Sequence, residues 1–274
     1  MSSKLSKKLG IKRGKPIIGV VHLMPLPGSL NYDGGWPDRI LERAVHDAAA
    51  LVGGGVDGII IENFGDAPFT KSRVMPHVAA MMAVVAKEIA SKFDVPLGIN
   101  VLRNDAITAF AVAAAAGARF IRSNIWISAA ATDQGIIEGV AYEALIYRKI
   151  LGFPNIAVFA DVAVKHSAPI GVRPLEELVV EAVERGGADA VIITGSQTGR
   201  PPSPETLAEL KSKIPKDVPV IVGSGVNPEN AVQFARYADG FIIGTYFKRD
   251  GVTTNPVDRL RVIELVELIR RAVP

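Results

Sequence analysis

Two hydrophobic rhythms alternate along the chain. Short runs rich in Val and Ile, such as "PIIGVV", "GIIIEN" and "AVIITG", are unbroken, whereas stretches such as "DRILERAVHDAAALV" space their apolar residues three and four apart. Unbroken β-branched runs predict strands buried on both faces, as in parallel sheet, and the wider spacing predicts amphipathic helix. The strand runs fall into two recurring phrases. One reads "GGVDGIIIEN" (54–63), "AGARFIRSN" (116–124), "GGADAVIITGS" (186–196) and "YADGFIIGT" (237–245). The other reads "KPIIGVVH" (15–22), "VPLGINV" (95–101), "FPNIAVFADV" (153–162) and "VPVIVGSGV" (218–226), each with a proline at or near the strand entry.

Helical patterns lie between these runs, and Asn104, Ser203, Asn227 and Asn255 stand where helix caps are expected. Eight strands of two alternating kinds, each followed by a helix, predict an α/β chain folded as a single (β/α)8 TIM barrel over residues 15–274. An open doubly wound sheet is the rival. Residues 1–14 read as a basic N-terminal extension carrying Lys4, Lys7, Lys8, Lys12 and Arg13. It reads as a solvated segment closing the barrel bottom, with contact to an anionic membrane surface as the alternative.

In a TIM barrel, chemistry sits at the C-terminal strand ends. Read in order, those ends supply His22; Glu62 and Asn63; Asn100 and Arg103; Arg122 and Asn124; Asp161 with Lys165 and His166; Thr194 and Ser196; Ser224; and Thr245. A barrel needs no polar groups at these positions to be stable. Asp161, Lys165, His166 and Glu62 are the candidate catalytic groups, combining carboxylate, ammonium and imidazole for general acid–base work. The structural alternative is a set of ion pairs that order the loops. His22, Asn63, Asn100, Arg103, Arg122, Asn124, Thr194 and Ser196 are candidate substrate contacts, with Arg122 suited to bidentate recognition of an anion.

The last three strands end in "TGSQTG", "GSGV" and "GTYF". Glycines let backbone N–H groups approach an anion, and "GSGVNPENA" runs toward a helix start, so Gly195, Gly223, Ser224, Gly225, Gly244 and Thr245 form a candidate phosphate site. The alternative is that small residues only make tight turns. The connections after the first, fourth and fifth strands are long, and the first, "LMPLPGSLNYDGGWP", reads as a structured lid with Tyr32 and Trp36.

Composition narrows the chemistry. The 274 residues include no cysteine, which excludes disulfides, thiol nucleophiles and thiolate metal sites and suits an intracellular, cytoplasmic protein. Net charge is only +3 despite a pI near 9.1, too little to argue for nucleic acid. The N-terminus lacks the apolar core of a signal peptide, and "AITAFAVAAAAGA" is too short to span a bilayer. No strand carries a Schiff-base lysine; Lys165 and Lys248 fall in loops beyond strands five and eight. His22 lacks a His-x-His partner, so no metal or other cofactor is expected, although His22, Glu62, Asp161 and His166 are compatible with a divalent ion. His46 and His77 fall in helical patterns. Ala- and Met-rich helix faces such as "VAAMMAVVA" permit homo-oligomers.

"GVVHLMPLPGS", "DGIIIENFGDAPF", "NVLRNDA", "FIRSN", "TDQG", "FADVAVKHSAP", "IITGSQTG", "VGSGV" and "GTYFKRDGVTTNPVD" occur in order, at or just beyond the strand ends. Together they resemble the BtpA family, which includes the SgcQ-type proteins. The resemblance implies a barrel of the ribulose-phosphate-binding type. It also implies a link, in cyanobacteria, to membrane-associated photosystem I biogenesis, a role that organisms without photosystems cannot share. Two functional expectations follow. One is an isomerase, epimerase or lyase acting on a phosphorylated sugar or similar metabolite through Asp161 or Glu62. The other is a non-catalytic assembly factor for a membrane complex, peripherally membrane-associated.

Overall fold

A computed structural model of the chain describes residues 4–11, 14–35, 37–163, 167–171, 173–195 and 202–273. Eight parallel strands close into a barrel: β1 (Ile17–His22), β2 (Gly58–Glu62), β3 (Leu97–Asn100), β4 (Phe120–Ser123), β7 (Ala157–Ala163), β9 (Ala190–Ile193), β10 (Val220–Val222) and β11 (Gly240–Ile243). Each pairs with the next in chain order, and β11 pairs back onto β1, with Ile17 opposite Phe241. The helices are α1 (Lys4–Leu9), α2 (Pro37–Gly53), α3 (Pro76–Lys92), α4 (Ala106–Ala116), α5 (Ala141–Leu151), α6 (Leu175–Glu184), α7 (Pro204–Lys213), α8 (Ala231–Ala235) and α9 (Arg259–Ala272).

Strand periodicity divides the core in two. Ile17, Val21, Ile59 and Ile61 face the helices and join the large outer cluster, while Ile18, Val20, Ile60, Phe120, Phe159, Ile192, Ile221 and Ile242 fill the barrel interior. Phe120 and Phe159 stack inside, with ring centroids 4.4 Å apart. The period of two carries straight to the mouth. The next inward positions after Val20, Ile60, Gly98, Phe120, Phe159 and Ile192 are His22, Glu62, Asn100, Arg122, Asp161 and Thr194. The barrel is therefore apolar through its depth and polar at its C-terminal end.

The bottom is closed by α1. Leu5 and Leu9 belong to the same cluster as the interior strand residues. With both leucines inside, α1 offers a bilayer only its lysines. Among the described residues no helix is long and apolar enough to cross a membrane.

The helix starts differ from the expected caps. Ser203 caps α7, accepting from Thr206 N at 3.0 Å. By contrast, α4 is capped by Asp105 rather than Asn104, and α9 by Asp258 rather than Asn255. Asn104 is occupied elsewhere: its carboxamide bridges β4's exit, accepting from Ile125 N at 2.8 Å and donating to Ile125 O at 2.8 Å. Asn227 opens a turn, accepting from Asn230 N, and α8 begins only after Asn230.

The long connections after the fourth and fifth barrel strands are not plain loops. They contain β5 (Ala129–Thr132), β6 (Gly135–Glu138) and β8 (Ser167–Pro169), which pair antiparallel in the order β6–β5–β8. Thr132 pairs with Gly135, so Asp133 and Gln134 form a two-residue hairpin turn, and Gly135 takes φ +96°, a backbone region that glycine enters without strain.

Candidate active site at the barrel mouth

Five strand ends converge on one buried network. Arg122 donates to Asp161 through Nε to Oδ1 (3.1 Å) and Nη2 to Oδ2 (3.0 Å), a bidentate pair, and through Nη1 to Glu62 Oε1 (3.0 Å). Asn100 Nδ2 donates to the same Glu62 oxygen at 3.1 Å, and Asn124 Nδ2 donates to Asp161 Oδ2 at 2.7 Å. His22 Nε2 lies 3.8 Å from Glu62 Oε2, and its ring packs on Phe64 at 4.6 Å. Glu62, Arg122 and Asp161 are each under 5% exposed. Burial alone would lower the Arg122 pKa, but Asp161 and Glu62 outweigh it and raise it, so the guanidinium stays charged.

Arg103, just beyond β3, is buried too. Desolvation pulls its pKa down, while Asp161 and Asp133 oppose the shift. A cavity of about 490 Å³ opens above the network. Its floor includes Glu62, Asn100 and Arg122, its walls Phe64, Phe69 and Leu102, and its rim Arg103 and Asp133. A second cavity of about 330 Å³ lies on the other side of Asn124, reaching Asp161, Thr194 and Gly195, with mostly apolar walls from β5, β8 and α6.

Not every candidate faces these cavities. Asn63 is committed to its loop: Oδ1 accepts from Leu102 N at 2.7 Å and Nδ2 donates to Asp66 at 3.0 Å. Asp66 also accepts from Leu26 N at 2.8 Å, which ties the long first connection to the second. Tyr32 packs against the outer core and donates its hydroxyl to Gly35 O.

The three glycine-rich ends adjoin one another, since β9, β10 and β11 are neighbours. Two glycines there answer to packing. A Cβ on Gly223 would meet Ile192 at 2.3 Å, and one on Gly244 would meet the His22 ring at 2.9 Å. Gly225 takes φ +71° and its carbonyl accepts from Asn230. Ser224 is buried, and Thr245 contacts Thr253 through hydroxyls 3.0 Å apart. Lys165, His166 and Ser196 lie outside the described residues, as does Trp36. Among the described residues no three His, Asp or Glu side chains converge in the manner of a metal site.

Lys248 is no mouth residue. It is fully buried behind β1, donating to Val20 O (3.1 Å) and Asp47 (3.4 Å), and burial lowers its pKa to about 8. His46 is mostly exposed on α2. The residues missed by sequence reasoning are Phe64, Phe69 and Asp133. Asp133 had a signal: "TDQG" before an apolar pair marks a hairpin turn.

Fold and site together define a closed (β/α)8 barrel with a buried, charged network at the C-terminal end of its strands. Such barrels are known at low sequence similarity. Thiamine phosphate pyrophosphorylase from Pyrococcus furiosus superposes with TM-score 0.60 at 16% identity, covering 98% of this chain and 100% of that one. N-(5′-phosphoribosyl)anthranilate isomerase from the same organism gives 0.55 at 14%, covering 94% and 99%. The chain belongs to the BtpA family, whose profile matches residues 13–271. It is 49% identical to an uncharacterised Thermococcus kodakarensis protein over 93% of this chain and 95% of that one. It is 46% identical to the photosystem I biogenesis protein BtpA of Synechocystis over 92% and 87%.

Proposed function

We propose that this protein is an enzyme that moves a proton on a phosphorylated sugar or similar small metabolite bound at the barrel mouth. The observation that carries this reading is the Glu62–Arg122–Asp161 network beneath the 490 Å³ cavity. Burying two carboxylates and a guanidinium gains little stability over apolar packing, so a reason other than folding is needed for them.

The geometry divides the roles. Both Asp161 oxygens are engaged by Arg122, and one also by Asn124, which suits a carboxylate that fixes and charges the guanidinium rather than one that takes a proton. Glu62 shares one oxygen with Arg122 and Asn100, and its other oxygen lies toward His22. Glu62 with His22 is therefore the proton-transfer couple, Arg122 and Asn100 position it, and Arg122 stabilises negative charge developing on substrate. Phe64 and Phe69 supply an apolar wall for one face of a ring. Ser224, Gly225 and Thr245 are the proposed phosphate contacts, and the phosphate-handling barrels among the structural neighbours support that placement by analogy of fold.

A thermal-shift screen against sugar phosphates tests the reading. At least one compound is expected to raise the melting temperature by several degrees. Ser224→Asp should abolish that shift, and Glu62→Gln should keep binding while losing turnover. A panel in which no phosphorylated compound stabilises the protein sinks the proposal. The second reading, an assembly factor, rests on the 46% identity to the Synechocystis protein named for photosystem I biogenesis. It predicts that mouth variants leave function intact while surface variants destroy it.

A further inference from the structure

Helix α5 is an outlier among the barrel helices. Of its eleven residues only Ala144 is fully buried. Tyr142 (79% exposed), Ile146 (44%) and Ile150 (75%) follow one another at intervals of four, which aligns them on a single face. Phe153 (47%) prolongs the strip past the helix end, and Ile136 (52%) on β6 stands before the helix start, bordering the same depression as Glu143. Beside the strip runs a groove of about 880 Å³, bordered by Ile127, Leu145 and Lys149.

Area and charge both point to the occupant. Large side chains offer on the order of 200 Å² each when bare, so these five leave roughly 600 Å² open. That is the upper range for the largest apolar patch on a monomer, and with its polar margin it approaches the ~800 Å² per partner of a standard interface. On the far side of the groove Arg173 and Arg185 are paired with Glu181, whereas the exposed charges that flank the strip are sorted along the helix. Exposed Glu138 and Glu143 lie at the N-terminal end, and exposed Lys149 lies at the C-terminal end. A strip that is acidic at one end and basic at the other matches its own copy when the two run antiparallel, the arrangement a two-fold axis generates.

We propose that this face is the interface of a homodimer, with α5 packing antiparallel on α5 of a second copy about a two-fold axis near Ile146. Ile146 then lies at the centre, where truncation costs most, and the acidic end of each strip lies over the basic end of the other. The barrel mouths remain open, because the helices, not the strand ends, meet. The dimer is independent of the reaction proposed above.

Sedimentation velocity of the full chain at tens of micromolar decides the matter. The wild type is expected to sediment as a dimer. Ile146→Asp should raise the dissociation constant at least about a hundredfold, since both copies lose the central contact. Glu143→Lys should weaken it about tenfold by opposing like charges, and Glu143→Lys combined with Lys149→Glu should restore it to within about threefold. Because positions 143 and 149 are exposed, these variants fold whatever Ile146→Asp does. A monomeric wild type overturns the proposal and leaves the strip to a partner of another kind. A dimer that neither Ile146→Asp nor Glu143→Lys weakens overturns it as well.

Discussion

Arg122 is worth most to the molecule as a test of purpose. Arg122→Met leaves Glu62 and Asp161 buried without a counter-charge and should cost about 3–5 kcal/mol, read as a fall in the urea midpoint. If the network served folding, removing all of it would cost more still. The expectation is the reverse: Glu62→Met, Arg122→Met and Asp161→Met together should be no less stable than Arg122→Met alone, and close to wild type. A triple variant weaker than the single one would return the network to a structural role.

Lys248 and Tyr246 shape the alkaline limb of stability. Lys248 titrates near 8 in the fold against an ordinary 10.5, chiefly through burial and in spite of Asp47. Its charged form is thus disfavoured by folding, and the unfolded chain holds more protons between those values. Stability should rise from about pH 8 toward pH 10, by up to about 3 kcal/mol. Tyr246 acts oppositely: burial first, then Glu264, pushes it up to about 12 from 10, so it withdraws stability above pH 10. Thermal melts across pH 7–11 should show this rise and fall, and Lys248→Met should flatten the rise.

Elements show how one strand makes room for another. Gly98 on β3 faces inward beside Phe120 on β4, and a Cβ there would meet the ring at 2.2 Å. Gly98→Ala should cost about 1–3 kcal/mol by overpacking, seen as a melting temperature lower by roughly 3–10 °C. That steric need is invisible in the one-dimensional pattern, since Gly98 and Phe120 are far apart in sequence. What was legible was the alternation itself: two recurring phrases marked all eight barrel strands, and their ends, read in order, brought His22, Glu62, Asn100, Arg122 and Asp161 to the mouth. What was not legible came from contacts between loops. Asn63 reads as a ligand until Leu102 and Asp66 claim its amide. Asn104 reads as a cap until Ile125 claims both its ends. The three-stranded sheet was hidden because β5 and β8 are too short to show a period, and their pairing joins two separate connections.

At the scale of the whole molecule, the barrel depends on its first helix. Deleting residues 1–10 would expose the interior around Ile18, Ile60 and Ile242 and remove the burial of Leu5 and Leu9. The loss should be about 3–6 kcal/mol, measured by urea denaturation, with no change in ligand affinity at the opposite end. A truncated chain as stable as the full one would show that α1 is dispensable to the fold.

The seat of that helix has a history built into it. Leu5 packs by Gly240, and Gly240 belongs to the last strand, the one that joins β1 to close the ring. On a ribosome, α1 therefore emerges before the barrel strands and is seated after them. Until β11 has emerged, the two leucines have no socket, and the only finished feature of the segment is its lysines. Positive charge keeps such a waiting segment in water and away from neighbouring chains of like charge. The basic N-terminus can thus be understood as the handle of a stopper, kept soluble for as long as the vessel is being made.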